Sequence, residues 1–189
     1  MSLEREESHL PILICICFAG NMIFGGLGSL FPRGYFWQIF SWQCGSLLFL
    51  AGAALYAAKL ATERWHISSA GFILLSIGQG LFFALQNSNS AEEFFPGFAS
   101  GIMAFFPGML FLCYYSGFPV WLRIYNLVAI VPFLIILVKI DMKSMDLTRD
   151  MKYIMLGFFM TQVAGVLWSY YALRPYQKLN DLRETPDVI

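Results

Sequence analysis

Apolar residues reach this chain in six long runs, each near the ~20 residues that a helix needs to cross a bilayer core of ~30 Å. No water reaches a backbone in hydrocarbon, so every N–H and C=O must be paired within the segment, and a helix does this alone. The runs cover about 11–31, 37–60, 66–86, 94–115, 120–140 and 151–173, with a polar tail at 174–189. The expected fold is all-α, a single polytopic domain of six transmembrane helices. Composition agrees: 58% of residues are hydrophobic and 13% charged, against roughly 25% charged in a soluble domain. Net charge is zero, which removes the field that would attract nucleic acid. Glu4, Arg5, Glu6 and Glu7 make a poor positive n-region, and the following run is long enough to span, so it is expected to remain as the first helix. Pro11 is expected near the start of that helix, where a missing amide proton costs least.

The stretch Cys44 to Phe83 organises the rest. Its two helices carry small residues in spaced rows, Gly45, Ala51, Gly52 and Ala53 in one and Gly71, Ser76, Gly78 and Gly80 in the other. Helices in lipid associate through such faces, where backbones approach closely. Gly97 and Gly101 form a further G-x-x-x-G pair, suited to contact within or between protomers. A polar loop at 87–93 divides the chain into halves of like layout, each with a glycine-bearing span, a turn containing Pro and Gly, a second span, a charged turn and a third span. Phe31-Pro32-Arg33-Gly34 in the first half takes the place of Ser116-Gly117-Phe118-Pro119 in the second. Three spans per half invert the second relative to the first, the 3+3 inverted pseudo-repeat of many secondary transporters.

With both termini on one side, that side holds Arg5, Lys59, Arg64, Arg123, Arg174, Lys178 and Arg183. The other holds Arg33, Lys139, Lys143, Arg149 and Lys152. The bias favours cytoplasmic termini, with the cytoplasmic (inner) membrane as the expected location. Trp37, Trp65, Trp121 and Trp168 fall near span ends and are expected at the lipid–water interface.

No Asp, Glu, Lys or His stands in the middle of a span, which disfavours a carboxylate-driven pump. Cys15, Cys17, Cys44 and Cys113 lie in apolar runs without C-x-x-C spacing and read as packing residues. His9 and His66 sit at span starts and lack the partners of a metal or haem site. No hydrolase, zincin or phosphate-loop motif occurs. Neither an enzyme nor a bound cofactor or metal is expected, and no catalytic residue is assigned. Neutral polar residues do occur inside spans: Asn21, Gln79, Asn126, Thr161 and Gln162. They are expected to face the bundle interior, as interhelical hydrogen bonds worth about 1 kcal/mol each or as the lining of a solute path. Arg123 is expected to snorkel to the headgroups, and Pro107 and Pro132 to kink their helices.

Residues 44–56 resemble the second-helix pattern G-G-x-x-Q-x-x-A-G-x-x-E-[FY] of the acetate uptake transporters, or succinate–acetate permeases, with Gly45, Ala51, Gly52 and Tyr56 at the family's spacing. Ser76-Ile77-Gly78 is similar to its S-Y-G-x-F-W in helix 3, and Gly165 and Tyr170 to a Gly and Tyr of its last helix. The family's N-P-x-P-L-G-L is Ser8-His9-Leu10-Pro11-Ile12-Leu13-Ile14 here, its helix-2 Gln and Glu are Leu48 and Leu55, and its helix-3 Tyr is Ile77. The resemblance implies homo-oligomers with one path per protomer, small mono- or dicarboxylates as solutes and a narrow apolar constriction. The expectation is therefore a transporter or channel for a small, weakly polar solute, with Asn21, Ser76, Gln79, Asn126 and Gln162 along its path and the bilayer as its surroundings. The alternative is a non-transporting six-helix scaffold or accessory subunit, in which those side chains only hold helices together.

Overall fold

The computed structural model describes residues 3–32, 34–86 and 91–184, with the side chains of 3–8, 91–93, 147–148 and 175–184 outside the described set. Six helices account for nearly all of it: α1 (Leu3–Leu30), α2 (Phe36–Thr62), α3 (His66–Leu85), α4 (Ala91–Leu112), α5 (Val120–Asp141) and α6 (Leu147–Glu184). Each contains a stretch long and apolar enough to span, from His9–Leu30 in α1 to Arg149–Arg174 in α6. The chain is an integral membrane protein of six transmembrane helices.

The ends differ from the expected spans. Helix α1 begins at Leu3, so Pro11 lies inside it rather than at its start. Helix α4 begins at Ala91 and takes in part of the expected polar loop, whose residues 87–90 are not described. Helix α6 runs on to Glu184, so most of the expected tail is helical backbone. Of the cations used for orientation, Arg5, Arg33, Lys178 and Arg183 have side chains outside the described residues. Helices α4 and α5 continue through Pro107 and Pro132.

Each helix packs on its neighbours in chain order, and α6 returns to α1, which closes a ring. This neighbour pattern is that of two three-helix halves, and also that of three successive hairpins. Glycine packing follows the hairpins. A β-carbon on Gly45 would lie 3.3 Å from the Asn21 carbonyl oxygen, and one on Gly52 3.0 Å from Cys17 Cβ, so the small face of α2 is spent on α1. Ala51 is half-buried beside that face. Gly71 and Gly108 face each other's carbonyl oxygens at 2.9 and 3.0 Å, and Gly78 faces that of Gly101 at 2.9 Å, so the small face of α3 is spent on α4. Gly97 and Gly101 receive the side chains of Leu85 and Phe82 from α3. The pair α2–α3 thus sits at the middle of four consecutive helices, each member turned toward its outer neighbour.

The halves share a turn. After α2, Arg64 takes a left-handed conformation (φ 66°) while Trp65 N–H donates to Leu60 O at 2.8 Å. After α5, Lys143 does the same (φ 51°) while Ser144 N–H donates to Lys139 O at 3.0 Å. Both are Schellman closures, which pair carbonyls that a helix end leaves open. Each stands between the second and third helix of its half.

Nineteen phenylalanines supply most of a column of touching rings through the middle of the helix ring. From the side that carries the α4–α5 turn, Tyr115 meets Phe118, and Phe118 meets Tyr56, which stacks on Phe72 at 4.4 Å. Trp168 then joins Phe72, Phe18 and Phe49 at 5.1, 5.7 and 6.4 Å. Phe49 leads through Phe105 to Phe82, Phe133 and Phe158 at the opposite end. Stacked and edge-to-face aromatic pairs contribute about 0.5–1.5 kcal/mol each beyond their buried area.

Candidate functional site

The neutral polar residues collect in three places around this aromatic column. The first is the α2–α3 interface. Gln79 Nε2 donates to Ser46 Oγ at 2.9 Å, and Gln86 Nε2 donates to the same oxygen at 2.8 Å. Ser76 Oγ donates to the Leu50 carbonyl at 3.2 Å. Ser46 was not a sequence candidate. Its signal lay in the row Gln38, Ser41, Gly45, whose three- and four-residue steps put small and polar side chains on one face of α2, with Ser46 beside them. All four residues are buried.

The second place is where α1, α2 and α6 meet. Asn21 is 4% exposed, and its Oδ1 would lie 3.5 Å from a β-carbon on Gly45. One turn along, Gly25 leaves room for the Gln162 amide from α6, which occupies the space a side chain would need. Thr161 turns back on its own helix, with Oγ1 donating to Gly157 O at 2.8 Å.

The third is the α5–α6 interface. Asn126 is fully buried, and its Oδ1 accepts from Trp168 Nε1 at 3.1 Å. Trp168 is therefore a core residue, contrary to the interfacial position expected for it. Its ring fills the centre of the column, and its one polar atom is satisfied by Asn126, which removes the reason for an indole to seek headgroups. Trp37 and Trp121 are about half exposed and Trp65 is exposed at 38%, as interfacial indoles are.

The five proposed path residues thus divide among three interfaces, and two share a property. Asn21 Nδ2 and Asn126 Nδ2 are buried and have no hydrogen-bond partner among the described residues, as is also true of the Tyr56 hydroxyl and Gln86 Oε1. An unpaired buried amide donor costs about 1–3 kcal/mol, and such groups require a reason. The two asparagines border the same pair of rings. Asn21 lies one turn from Phe18, Asn126 holds Trp168, and Phe18 meets Trp168 edge-on at 5.7 Å and 76°. Two orphan donors therefore flank an aromatic contact, and the groups they can recognise are hydrogen-bond acceptors.

Charge stays at the ends. Lys59 pairs with Glu63 at the α2–α3 turn. Lys139 Nζ meets Asp150 Oδ1 at 2.5 Å across the α5–α6 turn, where Asp150 is 1% exposed and its Oδ2 also accepts from Asp146 N–H at 3.1 Å. That buried ion pair was not foreseen, because Asp150 stood in the expected charged turn and the structure puts it in the first turn of α6. Arg123 bends back toward the turn, with Nε donating to Phe118 O at 2.9 Å. Among the described residues no three His, Cys, Asp or Glu side chains gather as metal ligands would. The four cysteines are unpaired and half-buried; Cys15 donates to Ser169 O at 3.4 Å. Comparison with known protein families, curated proteins and solved structures finds no match to this chain.

Proposed function

We propose that the protein is a transporter or channel that passes a small, weakly polar solute along the axis of its helix ring, with a short-chain carboxylate such as acetate or succinate as the foremost candidate. The observation that carries this reading is the pair of buried, unpartnered amide donors, Asn21 Nδ2 and Asn126 Nδ2, beside the Phe18–Trp168 contact. Each offers N–H to an oxygen acceptor without fixed charge, and selectivity then comes from pore width, an apolar constriction and a few amides. The aromatic column fills the axis, so passage requires rotation of side chains such as Phe49 and Trp168, whose rings meet at 6.4 Å. Gln79, Ser46 and Gln86 form a polar approach from the α3–α4 end, with Ser76 one turn from Gln79 and Gln162 beside Gly25. The resemblance to acetate uptake transporters supports the same solute class and a homo-oligomer, and the Lys and Arg bias favours termini on the cytoplasmic side of an inner membrane.

A second reading is a non-transporting scaffold. It draws on the side-chain bonds across the α2–α3 interface, where Gln79 and Ser76 act as interhelical ties. Uptake of labelled acetate, succinate and urea into liposomes holding the purified protein separates the two. At about pH 8 the acids are almost fully ionised, so leak of the neutral acids through bare bilayer is lowest. Saturable uptake above empty liposomes supports transport; uptake equal to empty liposomes, from folded protein, supports the scaffold.

A further inference from the structure

A second binding feature lies on the lipid-facing surface, away from the column. At the α4–α5 end, Leu110, Phe111, Cys113, Tyr114 and Leu127 line a groove of about 360 Å³. Its walls face outward: Leu110 and Leu127 are partly exposed and Tyr114 is 66% exposed, so hydrocarbon chains are the solvent there. The α4–α5 seam is the loosest among successive helices. One turn nearer the headgroups, on the Leu127 face of α5, stands Arg123. Its Nε is held by Phe118 O, and no other side-chain bond engages the guanidinium among the described residues. Its backbone carbonyl accepts from the Cys113 thiol of the groove wall at 3.4 Å. Trp121 and Tyr114, both largely exposed, mark headgroup level.

We propose that this groove binds one anionic phospholipid, an acyl chain lying against Leu110, Phe111 and Leu127 and the phosphate paired with Arg123. Charge complementarity selects the occupant. An apolar trough alone accepts any lipid, whereas a guanidinium restrained at its mouth offers a planar fork of donors matched to phosphate oxygens. A single cation near the headgroups gives about a fivefold preference for anionic lipid.

The test is native mass spectrometry of the full chain in detergent with phosphatidylglycerol and phosphatidylcholine of identical acyl chains. Wild type is expected to retain phosphatidylglycerol about fivefold over phosphatidylcholine. Arg123→Gln should lose that preference, while Arg123→Lys keeps most of it and Arg64→Gln, on the same side of the membrane, keeps all of it. Leu127→Trp, which fills the trough, should reduce retention of both lipids. Equal retention of the two lipids by wild type, or an unchanged preference in Arg123→Gln, overturns the proposal. Intact size-exclusion profiles of Arg123→Lys and Arg64→Gln keep the comparison valid if Arg123→Gln folds poorly.

Discussion

Substituting Gly71 by Ala tests how the first four helices are held. A β-carbon at Gly71 would lie 2.9 Å from the Gly108 carbonyl oxygen and 3.0 Å from Phe111 Cβ. Both atoms belong to or adjoin the α4 backbone, so no rotamer change relieves the contact, and α3 must separate from α4. Overpacking costs about 1–3 kcal/mol, and alanine returns up to about 1 kcal/mol through its helix propensity. The net expectation is a loss of about 1–2 kcal/mol for Gly71→Ala. Gly108→Ala meets the reciprocal oxygen of Gly71 at 3.0 Å and should cost a similar amount. The double variant should cost less than the sum, because the first change has already opened the seam that the second would strain. Gly26→Ala is the control, since nothing lies within 4 Å of its β-carbon position, and it should be neutral or slightly stabilising. Unfolding in mixed micelles of increasing SDS fraction, followed by tryptophan fluorescence, measures all four variants. A Gly71→Ala protein as stable as Gly26→Ala would refute the claim that these glycines set the helix separation.

Asp150→Asn removes the charge that Lys139 meets at 2.5 Å; because the lysine can still reach headgroups, the expected cost is about 2–3 kcal/mol, read in the same micelle titration. Lys143→Gly relieves a left-handed residue with φ of 51° and should stabilise by up to about 1 kcal/mol; a destabilised variant would contradict the Schellman assignment. Burial, with Glu63 nearby, pushes the Tyr115 phenol up to about 12. The folded protein therefore holds a proton that the unfolded chain releases near 10, and stability is full below that pH and falls as pH rises toward about 12. Thermal melts across that window should show Tyr115→Phe losing less than wild type.

The spans were legible because their signal is additive: about twenty apolar residues must cross, whatever they touch. Helix ends were less so. Pro11 reads as a start signal, yet the chain before it also forms helix, and α6 continues past Arg174 through Pro175 although proline reads as a stop and no hydropathy argument brings the tail into a span. Glycines announced close packing but not the partner, since Gly45 and Gly52 turn to α1 and Gly71 and Gly78 to α4 rather than to one another. Asn21 and Asn126 stood out as amides in hydrocarbon; that both keep an unpaired donor depends on rotamers and on a neighbour contributed by α6. Trp168 shows the limit most clearly. Its position near a span end argued for the interface, and only the meeting of α5 and α6 supplies the Asn126 oxygen that permits an indole at the centre of the core.

The central claim is that the two orphan amides contact a passing solute. Its most direct test is flux in liposomes holding Asn21→Leu, Asn126→Leu or wild-type protein, with Gly26→Ala as a neutral companion. Replacing an amide that meets the solute should lower saturable acetate or succinate uptake at least tenfold, about 1.4 kcal/mol of lost recognition, while the proteins remain folded. Wild-type uptake retained in both leucine variants would contradict the account.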